Sequence, residues 1–135
     1  MPQPSFIYAS LLVALGGGLG SWLRFVVGRA WTAALGPVRA GVFPYGTLTV
    51  NVLGSFAMGL LAGWLARFGG HGESTRLLLG VGILGGFTTF SAMSLDIATL
   101  IERGEIGTAA LYTTLSLLVG IGGLFAGLFI MRTAV

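Results

Sequence analysis

Four stretches of this chain, at residues 6–27, 47–66, 77–101 and 108–131, consist almost wholly of aliphatic, aromatic and glycine residues. A helix needs about 20 mostly apolar residues to cross the hydrocarbon core of a bilayer. Within that core each backbone polar group must be paired inside the segment, which a helix achieves by itself. The four runs therefore predict an all-α integral membrane protein with four transmembrane helices. Charged residues make up 8% of the 135 residues and hydrophobic ones 55%, against roughly a quarter charged in a soluble domain. So few charges cannot build a polar shell, and the mean hydropathy of +0.95 agrees. The segments between the runs are short and hold no linker or low-complexity tract, so residues 1–135 read as a single four-span membrane domain.

The seven basic residues are all arginines, scattered singly. They do not form a nucleic-acid patch and read as interfacial anchors. There is no cysteine, hence no disulfide framework or thiolate metal site. The opening MPQPSFIYASLLVALGGG lacks the basic region of a signal peptide, so the first run is expected to be a retained span. Loop 29–46 carries Pro37 and Pro44 as breakers, RFGGHGEST joins the second and third runs, and Ser74 or Thr75 is placed to cap the third. Arg67, Arg76 and Arg132 fall on one side of the membrane and Arg29, Arg39 and Arg103 on the other. Orientation follows the difference between such counts, and here there is none. Two readings stand: copies insert both ways and pair antiparallel, or Arg24 near the end of the first span fixes one orientation.

Each span holds a Gly-x-x-x-Gly pair: Gly16/Gly20, Gly59/Gly63, Gly82/Gly86 and Gly123/Gly127. Small residues four apart let helix backbones approach closely in lipid. The polar residues are the costly ones, because hydrocarbon offers them no partner. Thr47, Asn51 and Ser55 are four apart and share a helix face. Asn51 is either an interhelical hydrogen bond or part of a wet pathway. Tyr112 and Ser116, with Gly120 beyond, form a second row. Tyr112 taken alone reads as an interfacial belt residue. Asp96 is the one acid well inside a span, and Arg24 either draws anions to a pore mouth or snorkels to the headgroups.

In the third span GGFTTFSAMS separates apolar stretches 77–84 and 95–101, each too short to cross alone. Glycine pairs and adjacent threonines are poor helix formers, which predicts a helix broken at its centre. Such breaks expose backbone carbonyls to cations and N–H groups to anions. The alternative is a glycine kink repaired by threonine side chains. Phe87, Phe90 and Met93 recur every three residues. Such a stripe is usually core or lipid contact, but aromatic ring edges are electropositive and suit an anion that has shed water.

GGGLGSWLRF (16–25), YGTLTVNVLGSFAMG (45–59) and GGFTTFSAMS (85–94) together resemble the signature segments of the Fluc, or CrcB-type, fluoride channels. The resemblance covers nearly the whole chain. It implies an antiparallel dual-topology homodimer in the cell inner (plasma) membrane, with two pores that export fluoride passively. It implies a structural sodium ion at the dimer interface, held by the backbone carbonyls of Gly85 and Thr88. By motif position the fluoride path would be lined by Asn51, Thr47, Phe90, Ser91, Tyr112 and Ser116, with Arg24 in the vestibule. One departure stands out: the family's TFSTFS reads TFSAMS here, so Ala92 and Met93 replace a threonine and the second pore phenylalanine. Methionine is apolar and polarizable but has no ring edge.

Three rival functions fit less well. A small dual-topology multidrug exporter needs an acid in its first span, and no Asp or Glu precedes Glu73. A purely packing subunit leaves the stacked Thr/Asn/Ser and Tyr/Ser rows without a purpose. An enzyme lacks an acid–base pair, since His71 is the only histidine and lies in a loop.

Overall fold

A computed structural model of the chain describes residues 4–68 and 72–133. Every regular element among them is helical. Helix α1 spans Phe6–Ala40 and α2 spans Tyr45–Phe68. The third crossing is composite: α3 (Gly72–Thr75), a π-helical segment (Arg76–Leu84), α4 (Gly85–Phe87) and, after two extended residues, α5 (Phe90–Glu102). Helix α6 spans Ile106–Thr133. All four crossings are long and apolar enough to span a bilayer.

The boundaries correct the sequence reading in three places. Residues 29–40, expected as loop, continue α1. Alanine, leucine and arginine favour helix there, and the break comes only at Gly36, whose φ of 77° and ψ of 158° suit glycine alone. Pro37, with its φ preset, starts the last helical stretch to Ala40. Pro44 sits just ahead of α2, where its carbonyl accepts from Leu48 N–H at 3.0 Å. Ser74 and Thr75 do not cap the third crossing: they lie inside α3, and Thr75 makes no capping bond. The Glu73–Arg76 ion pair at 2.8 Å holds that turn instead. His71 lies outside the described residues. The interruption in the third crossing is also much shorter than GGFTTFSAMS, since Gly85–Phe87 and Phe90 onward are helical.

The α5–α6 turn ends in a glycine cap. Gly104 at φ 79° lets its own N–H reach Ile101 O, and Glu105 N–H reach Leu100 O, both at 2.9 Å. Arg103 adds a bond from Nη1 to Gly41 O at 2.9 Å, tying this turn to the α1–α2 connection.

Glycine sets how the crossings pair. Gly16 and Gly20 of α1 are buried against the π-helical segment. A Cβ on Gly16 would stand 2.6 Å from Leu78 O, and one on Gly20 would overlap Ile83 O. In the second pair, α2 lies on α6: a Cβ on Gly59 would overlap Leu124 O, and one on Gly127 would overlap Phe56 O. Backbones this close exchange dispersion contacts that lipid tails cannot supply at that density. A further glycine joins α2 to the third crossing. Gly54 of α2 faces Thr88, and a Cβ there would overlap the Thr88 methyl group. The interruption in the third crossing is thereby seated directly on α2.

Candidate functional site

Thr88 (φ −81°, ψ 158°) and Thr89 (φ −154°, ψ 116°) are both extended, so two residues leave the helical ladder at membrane depth. A side chain meets both backbone polar groups of Thr89. Asn51 on α2 uses its whole carboxamide on one residue: Oδ1 accepts from Thr89 N–H at 2.8 Å and Nδ2 donates to Thr89 O at 3.1 Å. It pairs with Thr89 much as a neighbouring strand would. Thr89 Oγ1 accepts from Ala92 N–H at 3.1 Å and so caps α5, and it lies 3.3 Å from Ser91 Oγ. Thr88 Oγ1 donates to Leu84 O at 2.9 Å. Ser21 of α1 adds a long bond to Gly86 O at 3.4 Å. Three crossings thus hold one interruption. The two readings of Asn51 are compatible, because Nδ2 has a second proton beyond its bond to Thr89.

Two cavities meet at Thr89. The first, about 360 Å³, has a polar floor of Asn51, Ser55, Thr89 and Ser116 between apolar walls. No charged residue lines it. Its rim lies at the protein surface, where Phe90 is 79% exposed and Leu117 and Ile121 are also exposed. The second, about 330 Å³, is lined by Arg24, Trp31, Tyr45, Thr47, Thr89 and Asp96. Arg24 and Asp96 are its only charged groups.

Tyr112 stands between the two. It is fully buried, donates its hydroxyl to Asp96 Oδ2 at 3.2 Å, and has Thr47 and Ser116 beside that hydroxyl. The belt reading of Tyr112 is therefore wrong: its ring packs edge-on against Phe43 at 5.6 Å inside the protomer. Ser116 Oγ is buried next to the Tyr112 hydroxyl, at the first cavity.

The predicted site residues separate accordingly. Asn51, Phe90, Met93 and Ser116 line the first cavity, together with Thr88. Arg24 and Thr47 line the second. Ser91 lines neither and is exposed, reaching the site only through Thr89 Oγ1. Phe90 and Met93 part company: Phe90 projects outward, whereas Met93 is 7% exposed and packs with Leu100, Ala109 and Tyr112. Phe87 precedes the extended residues, so helical spacing does not carry it onto the Phe90 face.

Trp31 was missed because its segment read as loop. Its Nε1–H donates to Thr49 Oγ1 at 3.0 Å, and its ring stacks on Tyr45 at 5.1 Å. The sequence signal was present: AWTAAL continues a helix without a breaker until Gly36.

Residues 11–128 match the family model described as CrcB-like protein, Camphor Resistance (CrcB). Curated relatives include the fluoride-specific ion channel FluC of Novosphingobium aromaticivorans, 61% identical over 124 residues, which are 92% of this chain and 96% of the relative. The protein of the same name in Rhodospirillum centenum is 53% identical over 93% of this chain and 96% of its own. That of Caulobacter vibrioides is 50% identical over 90% and 94%.

Proposed function

The chain belongs to the CrcB family, a family of ion channels and not of enzymes, and from that premise we propose that it is a fluoride-selective channel giving passive export of fluoride. The observation that carries this reading is the set of neutral polar side chains, Asn51, Ser55, Thr89 and Ser116, gathered in a cavity that no charged side chain among the described residues lines. Hydroxyl and amide groups of this kind donate to a small anion or to its residual water. Neutral donors suit conduction, because a site that binds too tightly does not release.

The path runs between the two cavities. Arg24 raises the anion concentration at the mouth. Thr47 and the Tyr112 hydroxyl lie beside the second cavity, and Asn51, Ser116 and the Phe90 ring serve the first. Water shed by the ion is replaced in steps by hydroxyl, amide and ring-edge contacts. Asp96, the acid at the mouth, is engaged by Tyr112.

The same cavity supports a homodimer. Its polar floor opens at the surface beside exposed Phe90, and hydrocarbon cannot satisfy such a floor. A second copy covers it, giving two pores per dimer. Equal numbers of loop arginines on the two sides support antiparallel, dual-topology pairing in the inner (plasma) membrane. A structural sodium ion fits the extended residues: carbonyl oxygens outside a helical ladder are ligands for a hard cation. Gly85 and Thr88 would hold it through their backbone carbonyls, and its charge would fix the interface.

The test is efflux from liposomes loaded with fluoride and chloride and followed by ion electrodes. Fast fluoride loss with negligible chloride loss is expected. Equal loss of both ions, or of neither, would overturn the assignment. Met93→Phe, which restores the family's residue, is expected to change fluoride efflux by no more than about tenfold, because Met93 is 7% exposed and packs with Leu100, Ala109 and Tyr112. A larger gain or loss in the same assay would place position 93 directly on the ion path.

A further inference from the structure

The two carbonyls in the sodium reading have lost their helical donors for an identifiable reason. In an uninterrupted α-helix, N–H of residue i bonds the carbonyl of residue i−4. Gly85 O would then be taken by Thr89 N–H, and Thr88 O by Ala92 N–H. Here both donors go elsewhere. Thr89 N–H donates to Asn51 Oδ1 at 2.8 Å, and Ala92 N–H donates to Thr89 Oγ1 at 3.1 Å. The N–H of Thr88 is spent on Leu84 O at 3.0 Å. One side chain from α2 and one from within the interruption thus withdraw the two donors that would otherwise neutralise Gly85 O and Thr88 O.

We infer that Asn51 and the Thr89 hydroxyl are positioning residues for the cation site: by capturing the Thr89 and Ala92 N–H groups they keep the Gly85 and Thr88 carbonyls free for an ion. The inference rests on the sodium reading above. Three observations favour it over simple stitching of a kink. Asn51 pairs both backbone groups of Thr89, which holds the extended conformation rather than decorating it. Thr89 is buried, 8% exposed, so water does not compete for Ala92 N–H. Gly54 leaves room for Thr88 on α2, where any Cβ would push the segment away from Asn51. Because Asn51 also faces the first cavity, cation site and anion path share one side chain.

The experiment measures thermal unfolding of the full chain in detergent across a sodium chloride series, with N-methylglucamine chloride holding ionic strength. Fluoride efflux is measured separately on the same preparations. The wild-type chain is expected to be stabilised by sodium with a saturable midpoint. Thr89→Val keeps the shape and removes the hydroxyl, and should raise that midpoint about tenfold, as loss of one buried hydrogen bond would. Thr89→Ser retains the hydroxyl and should restore the wild-type midpoint. Asn51→Leu should remove the sodium response. If the wild type does not respond to sodium, the sodium reading fails and this inference falls with it, while efflux still judges the channel reading. If the wild type responds and Thr89→Val responds with the same midpoint, the inference alone is overturned. Should Thr89→Val not fold, the Asn51→Leu series decides: an unchanged midpoint overturns the inference.

Discussion

Asn51→Asp is expected to abolish fluoride efflux while leaving the chain folded. The substitution preserves shape and keeps an oxygen for Thr89 N–H, now 2.8 Å from Asn51 Oδ1. It replaces the Nδ2 donor, which bonds Thr89 O at 3.1 Å, with a second oxygen facing a carbonyl. It also puts a negative charge on the floor of a cavity that has no charged lining residue. Two like charges about 4 Å apart repel by about 4 kcal/mol at an effective dielectric constant of 20, which as a barrier slows transit about a thousandfold. Electrode-monitored efflux from liposomes is the measurement, with size-exclusion elution as the check on folding. Efflux equal to the wild type would remove Asn51 from the anion path and leave it a structural residue only.

Much of this architecture was legible because the bilayer leaves few options. Four apolar runs give four crossings, and their ends differed from expectation mainly where helix continued past the membrane. Residues 29–40 are the clear case: two prolines suggested a loop, yet the first acts only after Gly36 has already turned the chain. The polar stripes were also legible, since spacing of four aligns Thr47, Asn51 and Ser55 whatever they face. Partnership was not. Nothing in Gly-x-x-x-Gly says that Gly16 and Gly20 meet the third crossing while Gly59 and Gly127 meet each other. Tyr112 taken alone looks like a belt residue for the same reason, until Asp96, 16 residues earlier, turns out to accept its hydroxyl. Nor does any local signal announce the π-helical Arg76–Leu84, which lies against Gly16 and Gly20 of α1. Asn51 shows the limit best. Its two candidate roles were chemically equivalent on paper, and only the distances to Thr89 show that one amide has the capacity for both.

The glycines provide the second large effect, through contrast within one motif. Gly59→Ala is expected to destabilise the chain by about 3 kcal/mol or more, because the new Cβ would overlap Leu124 O, a backbone atom that cannot rotate away. To relieve it α2 and α6 must separate, which loses dispersion contacts along the pair. It would also shift Asn51, Ser55 and Ser116, which face one another across that pair in the first cavity. Gly123→Ala lies in the equivalent pair of α6 and is expected to be nearly neutral, since its Cβ would find nothing closer than 3.6 Å, an ordinary van der Waals distance. Unfolding by titration with a denaturing detergent, read as loss of helical ellipticity, measures both. A large loss for Gly59→Ala with little change for Gly123→Ala means that α2 and α6 touch along Gly59 and Gly127. Equal effects would mean that the pair crosses elsewhere, and the cavity floor would then need a different set of side chains.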